Sequence, residues 1–144
     1  MKKPPITVSL LDDDPSVLKA LTRLFRASGW AVVPFENPLA FLDHAAKHHL
    51  SVAVIDMCMP VMNGLEVQAR LQKFSPATEV VFLTSWDEPS VRERALTAGA
   101  FAFLLKPADG DELLSVIHSA AAQRSHACEV QLASNADGSQ TESV

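Results

Sequence analysis

The sequence predicts an α/β fold, a doubly wound parallel sheet of five strands that alternate with five helices. Short apolar runs recur about every 20 residues with helical patterns between them, the signature of successive βαβ units. The middle run, Val52 to Ile55, is apolar without alternation, as befits a strand covered by helices on both faces. Runs also end in polar groups: Ser9-Leu10-Leu11 in Asp12-Asp13, Val52 to Ile55 in Asp56, Val80 to Leu83 in Thr84, and Phe101 to Leu105 in Lys106. In parallel strands those groups share the C-terminal edge of one sheet, where open α/β sheets bind ligands.

The first strand is read over Ile6 to Leu11. Asp14 then stands as a helix N-cap with Pro15 at the first helical position, and Val17, Leu21, Leu24 and Phe25 repeat on one face until Ser28-Gly29 ends the helix. Trp30 to Phe35 is the second strand, and Pro34 within it cannot donate to a ladder, so this strand belongs at an edge. Asn37-Pro38 opens the second helix, which runs to Lys47. The third strand, Val52 to Asp56, leads through the loop Met57 to Gly64 into a helix over Leu65 to Phe74. Glu79 to Thr84 is the fourth strand, Glu88 to Ala98 the fourth helix with Gly99 as its stop, and Phe101 to Leu105 the fifth strand. A last helix begins near Asp109 and carries Leu113, Leu114, Ile117 and Ala121 at helical spacing.

A length of 144 residues, 48% of them hydrophobic, suits one core and is short for two ordinary domains. The expected division is one domain over 1–123 and a flexible polar tail or linker over 124–144, where Ser, Asn, Asp, Gly, Gln and Thr replace the apolar pattern. A net charge of −5 without a Lys/Arg run argues against direct nucleic-acid binding by this chain. Cys58 and Cys128 lie outside any metal-ligand spacing, which fits free thiols in a reducing compartment. No signal-peptide pattern follows Met1, and no run reaches membrane-spanning length, so the expectation is a cytoplasmic protein without a membrane partner.

Three carboxylates, a hydroxyl and an ammonium at one edge describe a site for a divalent cation and a phosphoryl group. Asp12-Asp13, the stretch from Asp56 to Asn63-Gly64, Thr84-Ser85 and Lys106-Pro107 together resemble the receiver domain of two-component response regulators. The likeness covers about Ile6 to Gln123, and Ala98-Gly99-Ala100 before Phe103-Leu104-Leu105 adds to it. Within that family the chain is most similar to receivers of the nitrogen-fixation (FixJ-like) type, which usually carry a LuxR-like DNA-binding domain.

The resemblance implies a flavodoxin-like (βα)5 fold with strand order 2-1-3-4-5. It implies that Asp56 is the phosphoacceptor, served by a sensor histidine kinase or a histidine phosphotransfer protein. Asp12, Asp13, Asp56 and the main-chain carbonyl of Cys58 would hold Mg²⁺, a hard cation that takes oxygen ligands. Thr84 would hydrogen-bond the phosphoryl group, Lys106 would neutralise its charge, and Phe103 would fill the space that Thr84 vacates. The fourth helix, fifth strand and fifth helix would form the output surface, with a phosphorylation-dependent homodimer as one outcome. A cis peptide before Pro107 is also implied, where sequence alone favours trans.

Each residue also has a plainer reading. Asp14 is an N-cap, and alone Asp12-Asp13 could be a solvated turn, Asp56 a strand-terminal carboxylate, Thr84 a turn hydroxyl, Lys106 a surface lysine and Phe103 simple core. Their joint order is what points to the site. His44 and His48 stand at i, i+4 without a third metal ligand, and Met57, Met59 and Met62 would suit only a soft metal. Cys58 as a redox sensor would need a lowered pKa, which neighbouring carboxylates oppose. Two further function classes stay open: a pseudo-receiver acting as an unphosphorylated interaction module, and a phosphate-ester hydrolase, which would lack a general acid at Cys58. Cys58 and Trp86 offer no carboxylate or amide to orient a water, so the phosphorylated form should be long-lived.

Overall fold

The computed structural model describes residues 6–123; the expected tail at 124–144, with Cys128, lies outside them. The order of elements is β1 (Thr7–Leu11), α1 (Pro15–Ala27), β2 (Ala31–Phe35), α2 (Pro38–Lys47), β3 (Val52–Ile55), α3 (Gly64–Phe74), β4 (Glu79–Thr84), α4 (Pro89–Thr97) and β5 (Ala102–Leu105). A further helix, α5, occupies 110–123. Each boundary has a local cause. Asp14, Asn37 and Asn63 cap α1, α2 and α3 through side-chain oxygens that accept the amides of Ser16, Leu39 and Glu66. Asn63 moves the start of α3 one residue ahead of the expected Leu65, because Gly64 is already helical. Gly29 and Gly99 take positive φ just after α1 and α4, the left-handed turn that favours glycine.

All strand pairs are parallel, in the order β2-β1-β3-β4-β5. Pro34 therefore lies on an edge strand, opposite Leu10. Alternation along the strands divides the core into two layers. Leu11, Ala53, Ile55 and Phe82 join Phe41, Val67, Leu71, Val91 and Ala95 under α2, α3 and α4. Val8, Leu10, Val54, Val81 and Leu83 join Leu18, Phe25, Leu113 and Ile117 under α1 and α5. With both faces covered, β3 has no exposed side, which explains its unbroken apolar run.

Candidate functional site

Strand ends bring the expected residues together. The amides of Asp12, Asp56 and Lys106 donate to Phe35 O (3.1 Å), Leu11 O (2.9 Å) and Thr84 O (2.8 Å), so each follows directly on a paired strand. Asp12, Asp13 and Asp56 place one carboxylate oxygen each within 4.8 Å of the others, and no other group of three such ligands occurs among the described residues. Asp12 and Asp56 are buried and Asp13 is exposed, so the cluster opens to solvent on one side. Hard oxygen donors in this number fit Mg²⁺, which keeps several waters.

Lys106 reaches 2.6 Å from Asp12 Oδ2 and 3.8 Å from Asp56 Oδ2. Its closer partner is thus Asp12, whose other oxygen accepts the Asp14 amide at 2.9 Å. Asp56 is held above the usual carboxylate range, by burial first and by the charge of Asp12, while Lys106, the Thr84 hydroxyl and the Cys58 amide oppose the shift. Two buried carboxylates beside one ammonium leave the site short of positive charge, which a divalent cation would supply.

The remaining expected residues surround this centre. Thr84 is fully buried, and its Oγ1 accepts the Trp86 amide at 3.2 Å. Trp86 itself is 40% exposed beside the site. The Lys106–Pro107 peptide is cis. Phe103 is buried on β5 with its ring 6.2 Å from that of Phe82, so in this structure it points inward and belongs to the core layer under α2, α3 and α4. Met57 and Met62 are core residues rather than ligands. Cys58 is exposed, and its thiol is pushed up, by burial first and then by Asp56 and Asp13, which argues against a reactive thiolate. His44 and His48 stack at 4.3 Å.

Three residues contribute without a clear sign in the sequence. Gly64 closes the loop after Asp56 by donating to Met57 O at 2.9 Å, and a Cβ there would lie 2.8 Å from Phe82 Cε1 and 3.0 Å from Asp56 O. Its Asn63-Gly64 context was visible, but the close approach depends on Phe82, which lies on the following strand, β4. Gln68 and Gln72, one turn apart on α3, donate to the carbonyls of Ala95 and Ala98 at the end of α4. Nothing in a helical glutamine spacing announces that contact.

The family model for the response regulator receiver domain matches residues 8–118. The chain belongs to the response regulator receiver family. Among curated relatives, the response regulator protein TodT of Pseudomonas putida is 33% identical over 113 residues, which are 78% of this chain and 50% of TodT. The transcriptional regulatory protein GlrR of Escherichia coli is 32% identical over 123 residues, 85% of this chain and 28% of that protein. The chain spans about half the length, or less, of these relatives. The solved structure of the response regulator StyR superposes with a TM-score of 0.83 at 31% identity, covering 97% of this chain and 71% of StyR. A CheY-like receiver domain from Methanospirillum hungatei superposes with a TM-score of 0.82 at 21% identity, over 85% of this chain and 98% of that one, a likeness of fold. These relatives establish a receiver of two-component signalling; they do not single out the nitrogen-fixation type. Receiver domains pair with histidine kinases.

Proposed function

We propose that this receiver is a phosphorylatable switch with Asp56 as its acceptor. A carboxylate oxygen of Asp56 attacks the phosphorus of a phosphohistidine on a sensor kinase or phosphotransfer protein, the P–N bond breaks, and the histidine nitrogen keeps the electron pair. The observation that carries this reading is the placement of the Lys106 ammonium between Asp12 and Asp56, at 2.6 and 3.8 Å. Phosphoryl transfer through a loose transition state needs chiefly positioning and charge neutralisation, which this arrangement offers. Asp12, Asp13 and Asp56, with the Cys58 carbonyl, would hold Mg²⁺, which when bound adds positive charge for the phosphoryl oxygens. Lys106 holds one side of the group and Thr84 hydrogen-bonds it. Movement of Thr84 alters the space available to Phe103, and α4, β5 and α5 carry the change to a partner, an effector domain or a second copy. Residues 1–123 are the receiver unit of this proposal, 124–144 its linker or tail, and the cytoplasm its compartment.

Incubation with acetyl phosphate and Mg²⁺ followed by intact-protein mass measurement tests the proposal. A single phosphoryl adduct is expected on the wild type and none on Asp56→Asn or in EDTA; an equal adduct on Asp56→Asn would refute the assignment. The decay of that adduct tests the flanking residues. Trp86, bulky, exposed and tied through its amide to Thr84 Oγ1, should keep the phosphorylated form long-lived, and Trp86→Glu should shorten its half-life several-fold. Unchanged decay would remove Trp86 from this role.

A further inference from the structure

We propose that the groove between α1 and the edge strand β2 is a binding site for a small phosphate monoester, separate from the Asp56 site. The sequence shows no Lys/Arg run, yet the fold gathers Lys19, Arg23 and Arg26 along one cavity of about 430 Å³. They recur at i, i+4 and i+7 on α1 and so form one stripe. None of the three makes a salt bridge among the described residues, although the chain as a whole is acidic.

The lining specifies the ligand's chemistry. Three cations face the single carboxylate of Glu36, an excess of two positive charges, which matches a phosphate monoester dianion. Two guanidinium groups favour the tetrahedral oxygens of phosphate, which they bind in bidentate fashion. Leu18, itself buried, and Pro34 give the cavity an apolar part for the organic group of an ester. The volume falls in the range of small-molecule sites, about 300–1,000 Å³.

Thr22, of intermediate burial, adds a hydroxyl to the same wall. Its Oγ1 is buried without a hydrogen-bond partner. An unpartnered buried hydroxyl is uncommon in a folded protein. Helices allow threonine two χ1 rotamers, and exchange between them would let that hydroxyl donate to a phosphate oxygen.

Amide NMR titration of the 144-residue chain with phenyl phosphate, without Mg²⁺, tests the site. Saturable shifts are expected at residues 18–36, with those around Asp56 and Lys106 unmoved, which separates this site from the acceptor. Arg23→Gln or Arg26→Gln should weaken binding about tenfold, the loss of one charge-assisted contact. Glu36→Gln should tighten it, and Thr22→Val should weaken it severalfold. Inorganic phosphate should bind more weakly than the ester. Shifts that do not saturate, that spread over all lysines and arginines, or that are equal for phosphate and phenyl phosphate would overturn the proposal.

Discussion

Helix α4, on one face of the sheet, is held by different means from α1 and α5 on the other, while its neighbours α2 and α3 pack through apolar residues such as Phe41, Val67 and Leu71. Under α1 and α5 the contact is a conventional apolar stripe, with Leu18, Phe25, Leu113 and Ile117 meeting alternate residues of the strands. Phe25 is fully buried against Trp30, ring to ring at 5.7 Å. On the opposite face α4 buries only Val91 and Ala95, and its N-cap Glu88 makes no side-chain capping bond. What fastens the end of α4 is the glutamine pair of α3, of which Gln68 is nearly fully buried with an unpartnered Oε1. Apolar burial is diffuse and hard to undo in part, whereas two polar contacts can be released one at a time. The face with the polar fastening also carries Phe82 and Phe103, next to Thr84 and the acidic site.

That contrast can be broken most forcefully on the apolar side. Phe25→Ala should cost about 3–5 kcal/mol, a large share of a typical domain's stability, and should appear in urea unfolding as a loss for the whole molecule. If only α1 loosened while the sheet kept its stability, the apolar face would not be the cooperative unit described. A smaller effect is expected from Gln68→Met, which keeps the volume and removes the donor to Ala95 O. It should cost about 1 kcal/mol and speed amide exchange at 91–98 while leaving α1 unchanged. Equal acceleration in both helices would erase the difference between them.

The smallest effect concerns His44, which packs on Phe35 at 5.1 Å and on His48. Its pKa is lowered from 6.5, by burial first and then by the charge of His48, with Asp43 opposing. Below pH 6.5 the unfolded chain then binds more protons than the folded one, so this contribution is present above that pH and fades as pH falls through the folded value. Urea midpoints measured from pH 7.5 to 5 should fall less steeply in His44→Gln than in the wild type. Parallel curves would show that the His44 environment has no bearing on stability.

Much of this protein is legible in its sequence, for local reasons. Helix starts at Asp14 and Asn37, stops at Gly29 and Gly99, and the edge position of β2 all follow from caps, positive φ and the missing N–H of Pro34, whereas the start of α3 at Asn63 lies one residue ahead of the expected one. The order of Asp12-Asp13, Asp56, Thr84 and Lys106 at strand ends also follows, because parallel strands end on the same edge.

Contacts between distant segments were decided only in the folded molecule. That Lys106 sits closer to Asp12 than to Asp56 is set across 94 residues of chain, by the register of strands that no local pattern encodes. The same holds for the approach of Gly64 to Phe82, the glutamine contacts from α3 to α4, and the gathering of Lys19, Arg23 and Arg26 beside Pro34. Periodicity determines which face of an element is apolar; which neighbour that face meets, and at what distance, depends on the packing of all the elements together.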